Sequence, residues 1–115
     1  MNDLDMLTLA AKAADLIIMG QVVHVNSAVV ELSVRTKTGK PFAWSPLEHN
    51  DDALSLAVKL SLKIEIKTYA PIPCTEISAK PPYSIWTLET HSGAPERATR
   101  RAITRAAAEI GSMMP

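Results

Sequence analysis

The residues best suited to chemistry are a row of arginines late in the chain. Arg97, Arg101 and Arg105 recur every four residues, so they lie along one face of any helix that contains them. Guanidinium groups hold phosphate oxygens bidentately, and the row therefore predicts a face that binds an anion. The competing interpretation is a solvated surface, because Glu109 stands four residues after Arg105, at the spacing of an ordinary surface ion pair.

Two tryptophans could complete such a site. Trp44 and Trp86 offer flat faces on which a ring can stack. The chain has only two Trp, two Tyr and one Phe, so a core needs these side chains as well. The predicted ligand-binding set is Arg97, Arg101, Arg105, Trp44 and Trp86.

The acidic turn Glu48–Asp52 is a further candidate. It surrounds His49, so it could hold a metal ion or form an acid–base pair. No second histidine lies nearby in the sequence, and Asn50 or Asp51 has a sufficient role as the cap of a helix. Cys74, the single cysteine, lacks the flanking residues of a nucleophile. We therefore predict no catalytic residue, no metal ligand, no cofactor and no enzymatic activity.

Length and charge limit the remaining choices. A chain of 115 residues fits one domain, residues 1–115. Twelve basic residues balance twelve acidic ones, so no global field favours nucleic acid or a membrane surface. One cysteine suits a reducing compartment, and no apolar run is long enough to cross a bilayer. We expect a cytoplasmic protein.

The elements that position these residues follow from periodicity. A first helix should begin at Asn2 or Asp3 and end near Gly20. Its apolar side would be Leu4, Leu7, Ala11, Ala14 and Ile18. Valine-rich segments from Gln21 to Val34 predict two strands, and Phe42 and Trp44 a third short one.

The central segment, residues 44–62, predicts a strand end, a turn at Pro46 and a helix capped by Asn50 or Asp51. The apolar stripe of this helix would be Ala53, Leu54, Ala57, Val58 and Leu60 or Ser61. Three more strands should follow, near residues 63–67, 75–79 and 85–90. The last helix should begin at Pro95 and end at Gly111.

The predicted fold is α+β, with three helices on a mostly antiparallel sheet of five to six short strands, in the order α-β-β-β-α-β-β-β-α. In the last helix, small residues would leave more than half of the circumference apolar and exposed. These residues are Ala102, Ala106, Ala107 and Ala108. Such a face predicts a homo-oligomer as one arrangement.

Three segments together resemble small tailed-phage and prophage proteins, loosely those of the NinX type. They are Leu7–Ala14, the segment from Trp44–Leu47 to Asp51–Leu60, and Ala98–Ile103, about a third of the chain. The chain departs from the group's pattern at Ser45, which precedes Pro46, and in lacking a glycine in the turn. The resemblance implies a phage origin and no particular reaction.

Together these features predict a non-enzymatic phage accessory protein that binds a nucleotide-type anion or a host protein, in counter-defence or host takeover. The alternative is a nucleic-acid-binding protein that uses the arginine-rich last helix against phosphates. Neutral net charge makes this alternative the weaker one.

Overall fold

The computed structural model describes residues 2–23, 30–69, 74–80, 87–91 and 95–115. The helices are α1 (Asp3–Ala13), α2 (Asn50–Lys59) and α3 (Pro95–Ser112). The strands are β1 (Ile17–Val23), β2 (Val30–Arg35), β3 (Phe42–Trp44), β4 (Lys63–Tyr69), β5 (Cys74–Lys80) and β6 (Thr87–His91).

The α+β class and the three helices are confirmed. The single predicted sheet is wrong: in the described part of the chain, the strands form two antiparallel sheets, ordered β1-β2-β3 and β4-β5-β6. Each sheet follows a helix directly, so the molecule contains two successive units of one helix and three strands, and α3 completes them.

The first helix starts as predicted and ends earlier. Asn2 caps it, because its Oδ1 accepts the Asp5 N–H at 2.8 Å. The helix ends at Ala13, since Asp15 adopts a left-handed conformation with φ 58°. The amides of Asp15 and Leu16 donate to the carbonyls of Lys12 and Ala11, which is the Schellman arrangement. The apolar run that follows is therefore the start of β1 and not a continuation of the helix.

The second helix ends in the same way, with Ser61 at φ 54° and the Leu62 amide bonded to the Ala57 carbonyl. Its predicted cap is wrong: His49 occupies the capping position, and its side chain makes no capping hydrogen bond. The predicted apolar stripe is also half wrong, because Leu54 and Val58 are 63% and 70% exposed. The buried positions of the helix are Ala53, Leu56 and Ala57.

The third helix has two buried sides, which explains its small residues. One side joins the main core, where α1, β2, β3 and α2 contribute Leu7, Leu32, Trp44 and Leu56. The other side packs against Leu62 and Ile64 at the start of β4. On the first side lie Ile103, Ala107 and Ala108, and on the second Ala98, Ala102 and Ala106.

The prediction that this helix exposes its alanines is therefore wrong. Ala102, Ala106, Ala107 and Ala108 are each 0% exposed, because α3 lies between the other elements and needs a narrow profile on both sides. This removes the surface on which a homo-oligomer was predicted, and oligomerisation itself stays a prediction.

Gly111 does not end α3, which continues to Ser112. It lies at a close approach of α3 to α1: a Cβ built on Gly111 would overlap the carbonyl oxygen of Leu9. Glycine is needed here for close approach and not for backbone freedom, since its φ is not positive.

Candidate functional site

Helix α2 separates two pockets. The first, here called the apolar cleft, has a volume of about 400 Å³ and opens between α2, β4 and the first turns of α3. This volume falls within the range of about 300–1,000 Å³ that is usual for ligand sites. Its lining is Asn50, Ala53, Leu54, Ile64, Ile66, Pro95, Glu96, Thr99, Arg100 and Ile103.

A hydrogen-bond network borders the apolar cleft. Arg100 donates from Nε to the Leu47 carbonyl at 3.0 Å and from Nη1 to Asn50 Oδ1 at 2.7 Å. Asn50 in turn donates from Nδ2 to Glu96 Oε2 at 3.2 Å. These bonds tie α3 to the turn before α2 at one end of the cleft.

Two large, exposed apolar side chains line the apolar cleft, and a third lies beside one of them on α2. Leu54 and Ile66 line it and are 63% and 58% exposed, and Val58 lies one helical turn beyond Leu54 with 70% exposure. Single exposed apolar residues are common, but a contiguous group around a concave surface marks an interaction site.

The second pocket lies on the opposite side of α2, and we call it the Trp44 pocket. Its volume is about 210 Å³. Asp52, Ser55, Leu56 and Lys59 contribute from α2, at the spacing of one helix face. Phe42 and Trp44 contribute from β3, and Ala14 and Leu16 from the turn after α1. Trp44 is 4% exposed and forms the floor, whereas Phe42 is 43% exposed at the edge.

Asp52 is a half-buried acid in the lining of the Trp44 pocket. Its Oδ2 accepts the Ser45 backbone N–H at 3.0 Å, which fixes the turn to the helix. Burial nevertheless raises the pKa of Asp52 above its ordinary value of 3.8, and the neighbouring charges of Asp51 and Glu31 raise it further. The Ser45 hydrogen bond and the nearby His49 lower it, without reversing the direction. The carboxylate therefore lacks full compensation from its surroundings.

His49 pairs with a carboxylate across the first unit. Its Nε2 lies 3.3 Å from Glu31 Oε1, and the two side chains are 49% and 13% exposed. The residues that the structure describes contain no group of three or more His, Cys, Asp or Glu side chains that could hold a metal ion.

The structure keeps the three predicted arginines on α3 and places Trp44 in a pocket that none of them lines. Arg97 is exposed, Arg105 is half-buried, and Arg101 Nη1 donates to Asp3 Oδ1 of α1 at 3.0 Å. Trp86 lies outside the described residues. The ion pair of Arg101 therefore joins α3 to α1, while the exposure of Arg97 agrees with the solvated-surface interpretation.

The predicted ligand-binding set did not contain Asp52, Lys59 or Arg100, although Asp52 was considered as part of the acidic turn. The face formed by Asp52, Ser55, Leu56 and Lys59 has a helical spacing that the sequence shows, and it could have been recognised as a second side of α2. The contact of Arg100 with Leu47 has no such signal, because it joins distant parts of the chain.

Among the described helices, none combines the length and the apolar composition needed to cross a membrane. Comparison of the chain with protein-family models, with curated proteins and with solved structures finds no match. The resemblance to small tailed-phage proteins accordingly stays a prediction.

Proposed function

We propose that this is a non-enzymatic accessory binding protein whose partner is a host protein that presents an amphipathic helix. The observation that carries the proposal is the apolar cleft, with Leu54 and Ile66 exposed in its lining and Val58 exposed one helical turn beyond Leu54. Leu54 and Val58 are one turn apart, a spacing that suits the apolar stripe of a second helix.

Charge at one end of the cleft supports one orientation of the partner. Glu96 lines the cleft and is exposed near the start of α2. A partner helix with a basic residue at this end complements the carboxylate. Such charges favour one register, while the apolar contacts supply most of the affinity.

The contacts of the arginines do not favour the nucleic-acid alternative. Arg100 and Arg101 bind the Leu47 carbonyl, Asn50 and Asp3 within the molecule. A phosphate would have to compete with these bonds, and the neutral chain supplies little attraction at long range. If the phage resemblance is taken into account, the binding of a host protein would serve counter-defence or host takeover.

The test is site-specific photo-crosslinking in a bacterial host, with the crosslinker at position 54 and, as a matched control, at position 55. Both residues are exposed on α2, but Ser55 faces the Trp44 pocket. A crosslinked protein should be identified, purified and titrated by calorimetry against Leu54→Asp and Ser55→Asp. We expect Leu54→Asp to abolish binding and Ser55→Asp to preserve it. Equal crosslinking at both positions, or binding that survives Leu54→Asp, would refute the proposal.

A further inference from the structure

The Trp44 pocket combines two aromatic side chains with one carboxylate and one ammonium group. Phe42 and Trp44 stand two residues apart on β3, so both reach the same side of the strand. Asp52 supplies a hydrogen-bond acceptor at one end, and Lys59 supplies a cation at the other. We propose that this pocket is a second binding site, for a guanine-type mononucleotide. The inference is independent of the proposed function, because it uses the opposite side of α2.

The aromatic pair determines the shape of the ligand. Phe42 is 43% exposed, so a planar ring can stack on it without displacing the core, while Trp44, at 4% exposure, closes the bottom. The volume of about 210 Å³ accepts one bicyclic ring and leaves its substituents at the mouth. Stacking on an aromatic side chain tolerates any base, so it selects for a flat ring and not for its identity.

Asp52 determines which edge the ring presents. An ionised carboxylate only accepts hydrogen bonds, and among the described residues the Ser45 N–H is its one donor. A ring edge with two adjacent N–H donors, as in guanine, supplies what this half-buried carboxylate lacks. The edge of adenine places an acceptor nitrogen beside its amino group, and this nitrogen would repel the carboxylate. The raised pKa of Asp52 agrees with a site that is short of donors.

Lys59 determines the charge of the substituent. It stands seven residues after Asp52 on α2, which corresponds to about 10 Å along the helix axis. This span is similar to that between the base edge and the phosphate of a mononucleotide. Lys59 is exposed on the last turn of α2, where its ammonium can meet a phosphate at the pocket mouth.

The test is titration of the whole protein with guanosine monophosphate, followed by amide NMR and calorimetry. We expect saturable shifts of the Ser45 amide and of the Trp44 indole N–H, since the first is bonded to Asp52 and the second lies in the floor. Adenosine monophosphate should bind at least about tenfold more weakly, because a charge-assisted hydrogen bond is lost. Absence of binding, or equal binding of the two nucleotides, would overturn the proposal.

Two variants at exposed residues test the site without changing Asp52. Lys59→Gln should weaken guanosine monophosphate about tenfold and leave guanosine, which has no phosphate, unchanged. Phe42→Ala should weaken both ligands. Leu54→Ala, on the other side of α2, is the matched control and should change neither. A loss of affinity in the control equal to that in Phe42→Ala would contradict the assignment of the site.

Discussion

Replacement of Gly111 by alanine tests the close contact between α1 and α3. A Cβ at this position would overlap the Leu9 carbonyl oxygen and lie 2.8 Å from its carbonyl carbon and 3.2 Å from its Cα. Optimal carbon contacts begin at about 3.5 Å, so α1 would have to move away from α3 by roughly 1 Å. The obstructing atoms belong to a helix backbone, and no side-chain rotation relieves the overlap.

The magnitude follows from two opposing effects. Overpacking of this kind costs about 1–3 kcal/mol, and the rigid backbone favours the upper end. Alanine has a better helix propensity than glycine and returns up to about 1 kcal/mol. The net loss in the free energy of unfolding should be about 1–2 kcal/mol, which corresponds to a Tm lower by about 4–8 °C for a domain of this size.

The measurement is thermal and urea unfolding followed by circular dichroism, with Gly20→Ala as the control. A Cβ on Gly20 meets no atom within 4 Å, so this variant should unfold like the natural protein. A Gly111→Ala protein as stable as the natural one would refute the close-contact explanation.

Three further predictions concern charged groups. Arg100→Lys should lower the free energy of unfolding by about 1–2 kcal/mol in urea titrations, because lysine cannot bond the Leu47 carbonyl and the neighbouring amide together; an unchanged midpoint would contradict this. Arg101→Ala should cost less than about 1 kcal/mol, since its pair with Asp3 is exposed, and the loss should shrink in 1 M salt; a larger, salt-independent loss would point to packing instead. For Asp52 the raised pKa means that the folded state binds the proton more tightly than the unfolded state. Its contribution to stability is therefore greatest below the ordinary pKa of 3.8 and falls as the pH rises towards the raised value. Asp52→Asn should remove that decline from a pH series of urea midpoints. Parallel pH profiles for the natural protein and the variant would contradict this expectation.

Local signals predicted the elements better than their ends. The cap at Asn2 and the start of α3 at Pro95 follow from side-chain and ring chemistry that acts within a few residues. The end of α1 was not predicted from such local chemistry, because the left-handed residue is Asp15 and not a glycine. In the same way, a left-handed serine, Ser61, ends α2. A polar residue followed by leucine after an alanine-rich or leucine-rich helix was the available signal in both cases.

The site was harder to predict than the fold because it depends on which face each helix buries. Leu54 and Val58 belong to an apolar pattern and are nevertheless exposed. The face of α2 that packs in the core is the neighbouring one, which contains Leu56. Arg101 has the spacing of an anion-binding row, yet it pairs with Asp3, which approaches only when α1 packs on α3. Periodicity defines faces, and long-range packing decides which of them remains exposed.

The position of α3 between the two units has a consequence for folding during synthesis. Its partner α1 is translated early, whereas α3 is the last of the described elements to leave the ribosome. Until it does, the nascent chain presents the uncovered apolar side of α1 and the start of β4, surfaces that chaperones recognise. Emergence of α3, rather than completion of either sheet, therefore sets the moment at which the chain becomes a cooperative unit.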